Sequence, residues 1–322
     1  MDLAAAARTL NAVGYGYMES WALLTACGQR LFDRLPATVD ELGDTNPDRH
    51  LTATGLRVLA GAGVVAEDDG VWDQPTEMRT LLTGAGSYAD YLGGQILGQL
   101  APRLMLGTTG RNVLAEALTD PASRTGYEAW FADADEALTY QEAQYAGSVG
   151  PARAVSKLLP DPRGRVLDLG GGWGAIARAI ADRHDVAVDV VDLEPVIEAA
   201  PPPATGVALV VGDALDPTTW PADREYDGAV LSYLLSSIPA AEHARVLAAL
   251  TGLGVRWIAV HDFLLDAGDH APAWCLQHAV FVPGHRSYTS GEVRDLVEAR
   301  GFTGLSVHPI VDEMTSMVVA TR

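Results

Sequence analysis

The sequence predicts an α-rich N-terminal region, 1–155, followed by an α/β domain on a largely parallel sheet, 156–322. Three observations carry that expectation. Up to the mid-150s, apolar residues recur at three- and four-residue spacing, as on helices with one buried face. From Gly164 the rhythm changes to short β-branched runs (VLDL, VAVDVVDL, ALVVGD, DGAVLSY, WIAVHDFLL) separated by helical segments. Between the first run and its helix lies LGGGWG, a glycine turn at a strand-to-helix junction.

The first 30 residues read as an alanine-rich helix with Tyr15, Tyr17 and Trp21, whose apolar surface needs a partner. TVDEL follows, with Thr38 as helix N-cap, then TATGLRVLAGAGVV as a further helix. VVAEDDGVWDQ reads as two short strands about an Asp-Gly turn. Helices followed by a hairpin predict a winged helix. From Asp33 to Arg79 four arginines stand against ten carboxylates, a net charge of −6. A DNA reader needs a basic footprint, so this module reads as a scaffold. DYLGGQILGQL, GRNVLAEAL and a long segment through ARAVSKLL are helical, and LSVHPIV with MVVATR forms a terminal strand pair.

Composition narrows the function classes. A 322-residue chain that is 48% hydrophobic can bury two cores. A net charge of −20 repels nucleic acid and anionic membrane surfaces. No apolar run approaches the ~20 residues of a membrane span, and no signal peptide is indicated. Cys27 and Cys275 are distant and unpatterned, which fits a cytoplasmic location.

The glycine turn carries the chemistry. It lacks the Gly-Lys-Ser/Thr ending of a P-loop. Gly170, Gly172 and Ala175 meet only a relaxed dinucleotide pattern, with Gly174 completing the turn. Asp168, two residues before Gly170, suits an ammonium or hydroxyl network rather than a pyrophosphate. Asp192 ends the second strand, where an acid accepts from ribose hydroxyls. Asp213, beside Ala214, is expected to end the third strand and to reach an adenine amino group. Together these residues point to S-adenosylmethionine.

The chain resembles the two-domain small-molecule O-methyltransferases, of the plant caffeate type and the bacterial natural-product type. The resemblance runs over nearly the full length: the N-terminal helices, the winged-helix region, LDLGGGWG, VDLEPVIEAA, VVGDAL and YTSGEVRDLVEARGF. In the last piece Thr289 and Glu292 match the family's Arg-Thr-x-x-Glu pattern, with Tyr288 in place of arginine. The resemblance implies a Rossmann-like seven-stranded methyltransferase sheet, a dimerising N-terminal domain, a homodimer, and methylation of a small, aromatic or cyclic metabolite, with an O-methyl ether as the expected product.

One feature departs from that family. Its catalytic histidine sits in a His-Asp-Trp sequence, where this chain has Ser236 and Ser237. A serine hydroxyl does not accept a proton at neutral pH without a base of its own. Three readings follow. Asp262, or one of His261, His278 and His285 nearby in sequence, takes the proton, or the acceptor is already anionic and positioning suffices, or His261, Asp262, His278 and His285 hold a divalent metal that assists C-methylation of an α-keto acid. A separate alternative is a fold that binds the cofactor without transferring methyl. Trp130, Tyr140, Trp274, His278 and Phe281 are expected to wall an apolar substrate pocket, and Arg286 to pair with a substrate carboxylate.

Overall fold

A computed structural model describes residues 3–43, 49–97, 117, 120–127, 134–221, 223–268 and 270–322. The chain divides into two compact units, Met1–Ala101 with Glu142–Gly147, and Pro102–Gln141 with Ser148–Arg322. The division differs from the expected break after residue 155. Helix α6 (Ala134–Leu158) gives residues to both units, so no composition shift marks the crossing.

In the first unit, helix α1 (Leu3–Gly28) precedes a short strand β1 (Ala37–Thr38) and one-turn helix α2 (Val39–Leu42). Thr38 caps α2 in a capping box, its hydroxyl accepting from the Glu41 N–H while Glu41 reaches back to the Thr38 N–H. Helix α3 (Arg49–Gly61) leads to strands β2 (Ala66–Asp68) and β3 (Val71–Asp73). Asp69 and Gly70 both take positive φ, the turn that matches hairpin twist. Strand order β1-β3-β2 completes a winged helix. Phe32, Leu42, Leu56, Leu59 and Trp72 form its core. Helices α4 (Thr76–Leu82) and α5 (Tyr88–Leu97) follow.

The second unit holds a seven-stranded sheet: β4 (Val166–Leu169), β5 (Val188–Asp192), β6 (Val207–Val211), β7 (Gly228–Ser232), β8 (Trp257–Asp262), β9 (Gly304–Val311) and β10 (Thr315–Thr321). Their spatial order is β6-β5-β4-β7-β8-β10-β9. All neighbours pair in parallel except β10, which runs antiparallel to both β8 and β9. The order reverses at β4, between β5 and β7. A crevice therefore opens at the carboxyl end of β4, where open α/β sheets take ligands.

Period-two alternation assigns the faces. Leu167, Leu169, Val191 and Leu231 enter one core with Leu247, Leu250 and Phe302. Val166, Val188, Val190 and Val230 enter the other with Ile176, Ile180 and Trp257. Gly228 opens β7 because a Cβ there would lie 1.9 Å from the Trp257 indole. The remaining helices are α7 (Ala175–His184), α8 (Glu194–Glu198), α9 (Ala240–Gly252), α10 (Ala271–Phe281) and α11 (Ser290–Glu298).

Candidate active site

The glycine turn is shaped around one carboxylate. Asp168 sits on β4 between two core leucines with no exposed surface, and neither carboxylate oxygen has a hydrogen-bond partner. The Ala177 N–H approaches it without reaching hydrogen-bond geometry. Burial first, and the nearby Asp192 second, push the Asp168 carboxyl up to about 7. A Cβ on Gly171 would lie 2.6 Å from the Asp168 carboxylate, so only glycine lets the loop pass over it. Gly170, Gly172 and Gly174 all take positive φ, and Gly174 is the N-cap of α7.

Asp192 ends β5 as expected. Its oxygens accept from the Gly172 N–H at 2.7 Å and the Leu193 N–H at 2.8 Å, which ties the turn to the neighbouring strand. Burial outweighs those two bonds and pushes Asp192 up to about 6. Each oxygen retains a second lone pair for a ligand hydroxyl. Asp213 departs from the expectation. β6 stops at Val211, and Asp213 lies in the following turn with one oxygen accepting from the Leu215 N–H at 2.7 Å. Gly212 follows the strand, and a Cβ there would lie 2.8 Å from Val191. Ala214 packs beside it against the core.

On the other side of β4, the loop 233–237 after β7 closes over the turn. A Cβ on Gly170 would lie 2.9 Å from Leu234. Asp262, at the end of β8, fastens this loop, its oxygens accepting from the Ser236 N–H at 3.0 Å and the Phe263 N–H at 2.8 Å. Burial pushes Asp262 up to about 6. Tyr233 holds φ 57, a strained conformation for a bulky residue. Its carbonyl accepts from both the Ser236 and Ser237 hydroxyls. Asp262, Ser236, Phe263, Cys275 and His285 line a small cavity at this end of the sheet.

A family profile described as Methyltransferase domain matches residues 140–307, just over half of the chain. The chain belongs to this methyltransferase family. Among curated proteins, the ribosomal RNA large subunit methyltransferase E of Methanoculleus marisnigri is 35% identical over 105 residues, which is 30% of this chain and 48% of that one. The match spans about half of that relative's length. Solved structures share the fold over their whole lengths. Human N-acetylserotonin methyltransferase, crystallised with S-adenosylmethionine, superposes with a TM-score of 0.82 at 20% identity, over 100% of this chain and 98% of that one. CalO1, a methyltransferase of calicheamicin biosynthesis with S-adenosylhomocysteine bound, gives 0.77 at 21%, over 100% and 99%. The mitomycin 7-O-methyltransferase MmcR gives 0.73 at 18%, over 99% and 98%. The two-domain fold that the sequence predicts is thus the fold of this methyltransferase.

Several expected site residues of the methyltransferase lie elsewhere than expected. His261 faces away from Asp262, because β8 continues through both and adjacent strand residues point oppositely. Its Nδ1 meets Ser232 Oγ at 2.9 Å and its Nε2 meets Thr315 Oγ1 at 3.0 Å. Burial pushes this imidazole down to about 3, so it is a neutral core histidine. The proposed metal set therefore does not converge, and no group of three or more His, Cys, Asp or Glu side chains among the described residues is placed to hold a metal. Arg286 is already engaged, 2.7 Å from Glu292 and over the Tyr288 ring. Tyr288, where the resembling family has arginine, meets His243 Nδ1 at 2.9 Å. Trp130 lies outside the described residues.

Some of the aromatic residues named from the sequence lie in ring contact with neighbours near this end of the sheet. Trp274 stacks on Phe263 with centroids 5.0 Å apart, and His278 lies 5.2 Å from the same ring. Phe281 meets Tyr127 edge-on at 5.0 Å, and Tyr127 meets Tyr140 at 5.7 Å. Tyr127 is buried, which pushes its phenol up. Tyr127 was not expected. It stands between two loop-like stretches of sequence, and no periodicity marks it as part of a site.

Proposed function

We propose that the protein is an S-adenosylmethionine-dependent methyltransferase that methylates a hydroxyl oxygen of a small planar metabolite. The single observation behind this reading is the buried, unpartnered Asp168 carboxylate beneath a turn whose glycines leave room for a ligand. That donor-poor acid fits a group rich in hydrogen-bond donors and cationic at its amino and sulfonium centres. When bound, the cofactor supplies an electrophilic methyl: the acceptor lone pair forms the new bond to carbon as the C–S bond breaks, and that pair stays on sulfur.

The chain's own residues then have separate tasks. Asp168 receives the ammonium end and its water network, Asp192 the ribose hydroxyls, and Asp213 with Ala214 the adenine edge. Gly170, Gly172 and Gly174 permit close approach. Asp262 holds the 233–237 loop against the acceptor space, and the Trp274, Phe281, Tyr140 and Tyr127 rings favour a flat acceptor over a flexible one. That MmcR, of the same fold, is a mitomycin 7-O-methyltransferase supports oxygen as the accepting atom. Formation of S-adenosylhomocysteine that depends on an added hydroxylated aromatic tests this reading, and consumption of cofactor without a methylated product would contradict it.

The homodimer and the cytoplasmic location belong to the same proposal. Val13, Tyr17 and Trp21, four residues apart on α1, are exposed, as an unpaired helix face would be. Both cysteines are buried and free, and no helix among the described residues is long and apolar enough to cross a membrane. Light scattering on Trp21→Glu tests the dimer, with a shift toward monomer expected.

A further inference from the structure

The strand loop carries Ser236 and Ser237 where a neutral hydroxyl acceptor would need a base, and the imidazoles of His261, His285 and His243 are hydrogen-bonded at both nitrogens. Asp262 accepts from the Ser236 and Phe263 N–H groups. His261 is held at both nitrogens by Ser232 and Thr315. His285 Nδ1 lies 3.1 Å from the Ser236 carbonyl and its Nε2 3.0 Å from the Ser287 hydroxyl. His243 spans Tyr288 and the Ile238 carbonyl. His278 differs from them. Its Nδ1 lies 2.9 Å from the Trp274 carbonyl one turn earlier. A carbonyl only accepts, so Nδ1 carries the hydrogen and the lone pair of the neutral ring is on Nε2.

The placement of His278 matches that electronic state. Trp274, His278 and Phe281 occupy positions i, i+4 and i+7 of α10 and share one helix face. That face meets Phe263, the residue after Asp262, through Trp274 and His278, and Tyr127 through Phe281. It therefore lies beside the carboxyl end of β8, next to Phe263, which lines the small cavity with Asp262 and Ser236. Burial lowers the imidazole's affinity for protons, so the ring is uncharged and ready to accept.

We infer that His278 Nε2 is the general base of this methyltransferase, replacing by a helix residue the histidine that Ser236 and Ser237 displace from the strand loop, and that its substrate is a phenolic hydroxyl. The inference rests on the O-methylation reading above. The acceptor O–H bond breaks, its proton passes to Nε2, and its electron pair remains on the oxygen that takes the methyl. The Trp274 carbonyl fixes the tautomer and steadies the imidazolium that forms.

The test joins a spectroscopic and a kinetic arm. Nitrogen-15 NMR of the full chain, assigned by comparison with His278→Gln, should show His278 protonated at Nδ1 and bare at Nε2. A proton on Nε2 overturns the proposal without any turnover measurement. Kinetics then use S-adenosylmethionine and phenols running from 4-methylphenol, un-ionised in neutral buffer, to pentafluorophenol, which is ionised there. H278Q should lower kcat for 4-methylphenol about 10²-fold or more, with KM and calorimetric cofactor affinity unchanged and pentafluorophenol spared. An equal loss across the set, or none, overturns the base and leaves the methyltransferase reading intact. Inertness of every phenol despite bound cofactor overturns the hydroxyl acceptor and the base together, whereas absence of cofactor binding removes the methyltransferase reading itself.

Discussion

The two ends of the central sheet treat buried acids in opposite ways. At the end where β4 and β5 begin, Asp189 is fully buried, yet Arg165 and Arg224 each reach it at 2.7 Å and the Tyr226 hydroxyl donates to it at 2.8 Å. Asp227 nearby is held by Arg256, Trp257 and the Arg163 N–H, which keep its carboxyl below the usual range despite partial burial. At the other end Asp168, Asp192 and Asp262 meet backbone N–H groups or nothing, and all three are pushed up. Burying an acid beside a cation holds strands together. Burying one without a cation costs stability that only a ligand or a reaction can justify. The difference separates the structural end from the end that carries the candidate site without reference to any relative.

The sharpest way to break the comparison is to remove buried carboxylates from each end in turn. Asp168→Asn and Asp192→Ala should each weaken cofactor affinity about 10²-fold, the loss of about 3 kcal/mol of charge-assisted bonding. Isothermal calorimetry checks both. Asp189→Ala should leave that affinity unchanged while lowering unfolding free energy by about 3 kcal/mol, read from urea denaturation. This is the low end for a broken buried pair, because both arginines are about a third exposed and regain water. If Asp189→Ala weakened the cofactor as much as Asp168→Asn, the two ends would be alike.

A smaller effect is expected from Gly171→Ala. Its Cβ would press on the Asp168 carboxylate, so both affinity and stability should fall by about 1–3 kcal/mol. The smallest effect is on pH dependence. The folded-state values of about 7 for Asp168 and about 6 for Asp192 lie above the ordinary 3.8. A raised acid stabilises the fold while protonated, fully so below 3.8, and that contribution fades as pH rises through 6 and 7. In ligand-free protein the Tm of Asp168→Asn minus that of the wild type should therefore grow between pH 4 and about 7, with the variant the more stable at higher pH. A difference that stays flat over this window would show that Asp168 ionises freely in the fold.

The strand-end positions of the candidate-site acids were legible in the sequence, and the structural end was not. Asp168, Asp192 and Asp262 sit where β-branched runs stop, so local pattern places them at strand ends. Asp213 follows a similar run but lies beyond it, since the strand stops at Val211 and the acid turns back on Leu215. Asp189 is invisible within VAVDVVD, because its arginines come from other segments and meet only when the sheet forms. The same reason hid the state of His261, whose partners Ser232 and Thr315 belong to neighbouring strands. Adjacency of His261 and Asp262 in sequence suggested a pair. Strand alternation separates them.

The winged-helix unit shows the complementary case. Its features are local, a Thr38 cap and an Asp-Gly turn, and both stand where the sequence places them. Tyr127 and the open nitrogen of His278 depend on tertiary contacts with Phe281 and Phe263, and no spacing announces them.

The central claim is that the unpaired acid under the glycine turn is a cofactor seat. Calorimetric titration of the folded wild-type chain with S-adenosylhomocysteine, alongside Asp168→Asn, tests it most directly. The account predicts one site per chain in the wild type and a loss of about two orders of magnitude in the variant. Absence of binding to the folded wild-type chain, or equal affinity in the two proteins, would contradict it.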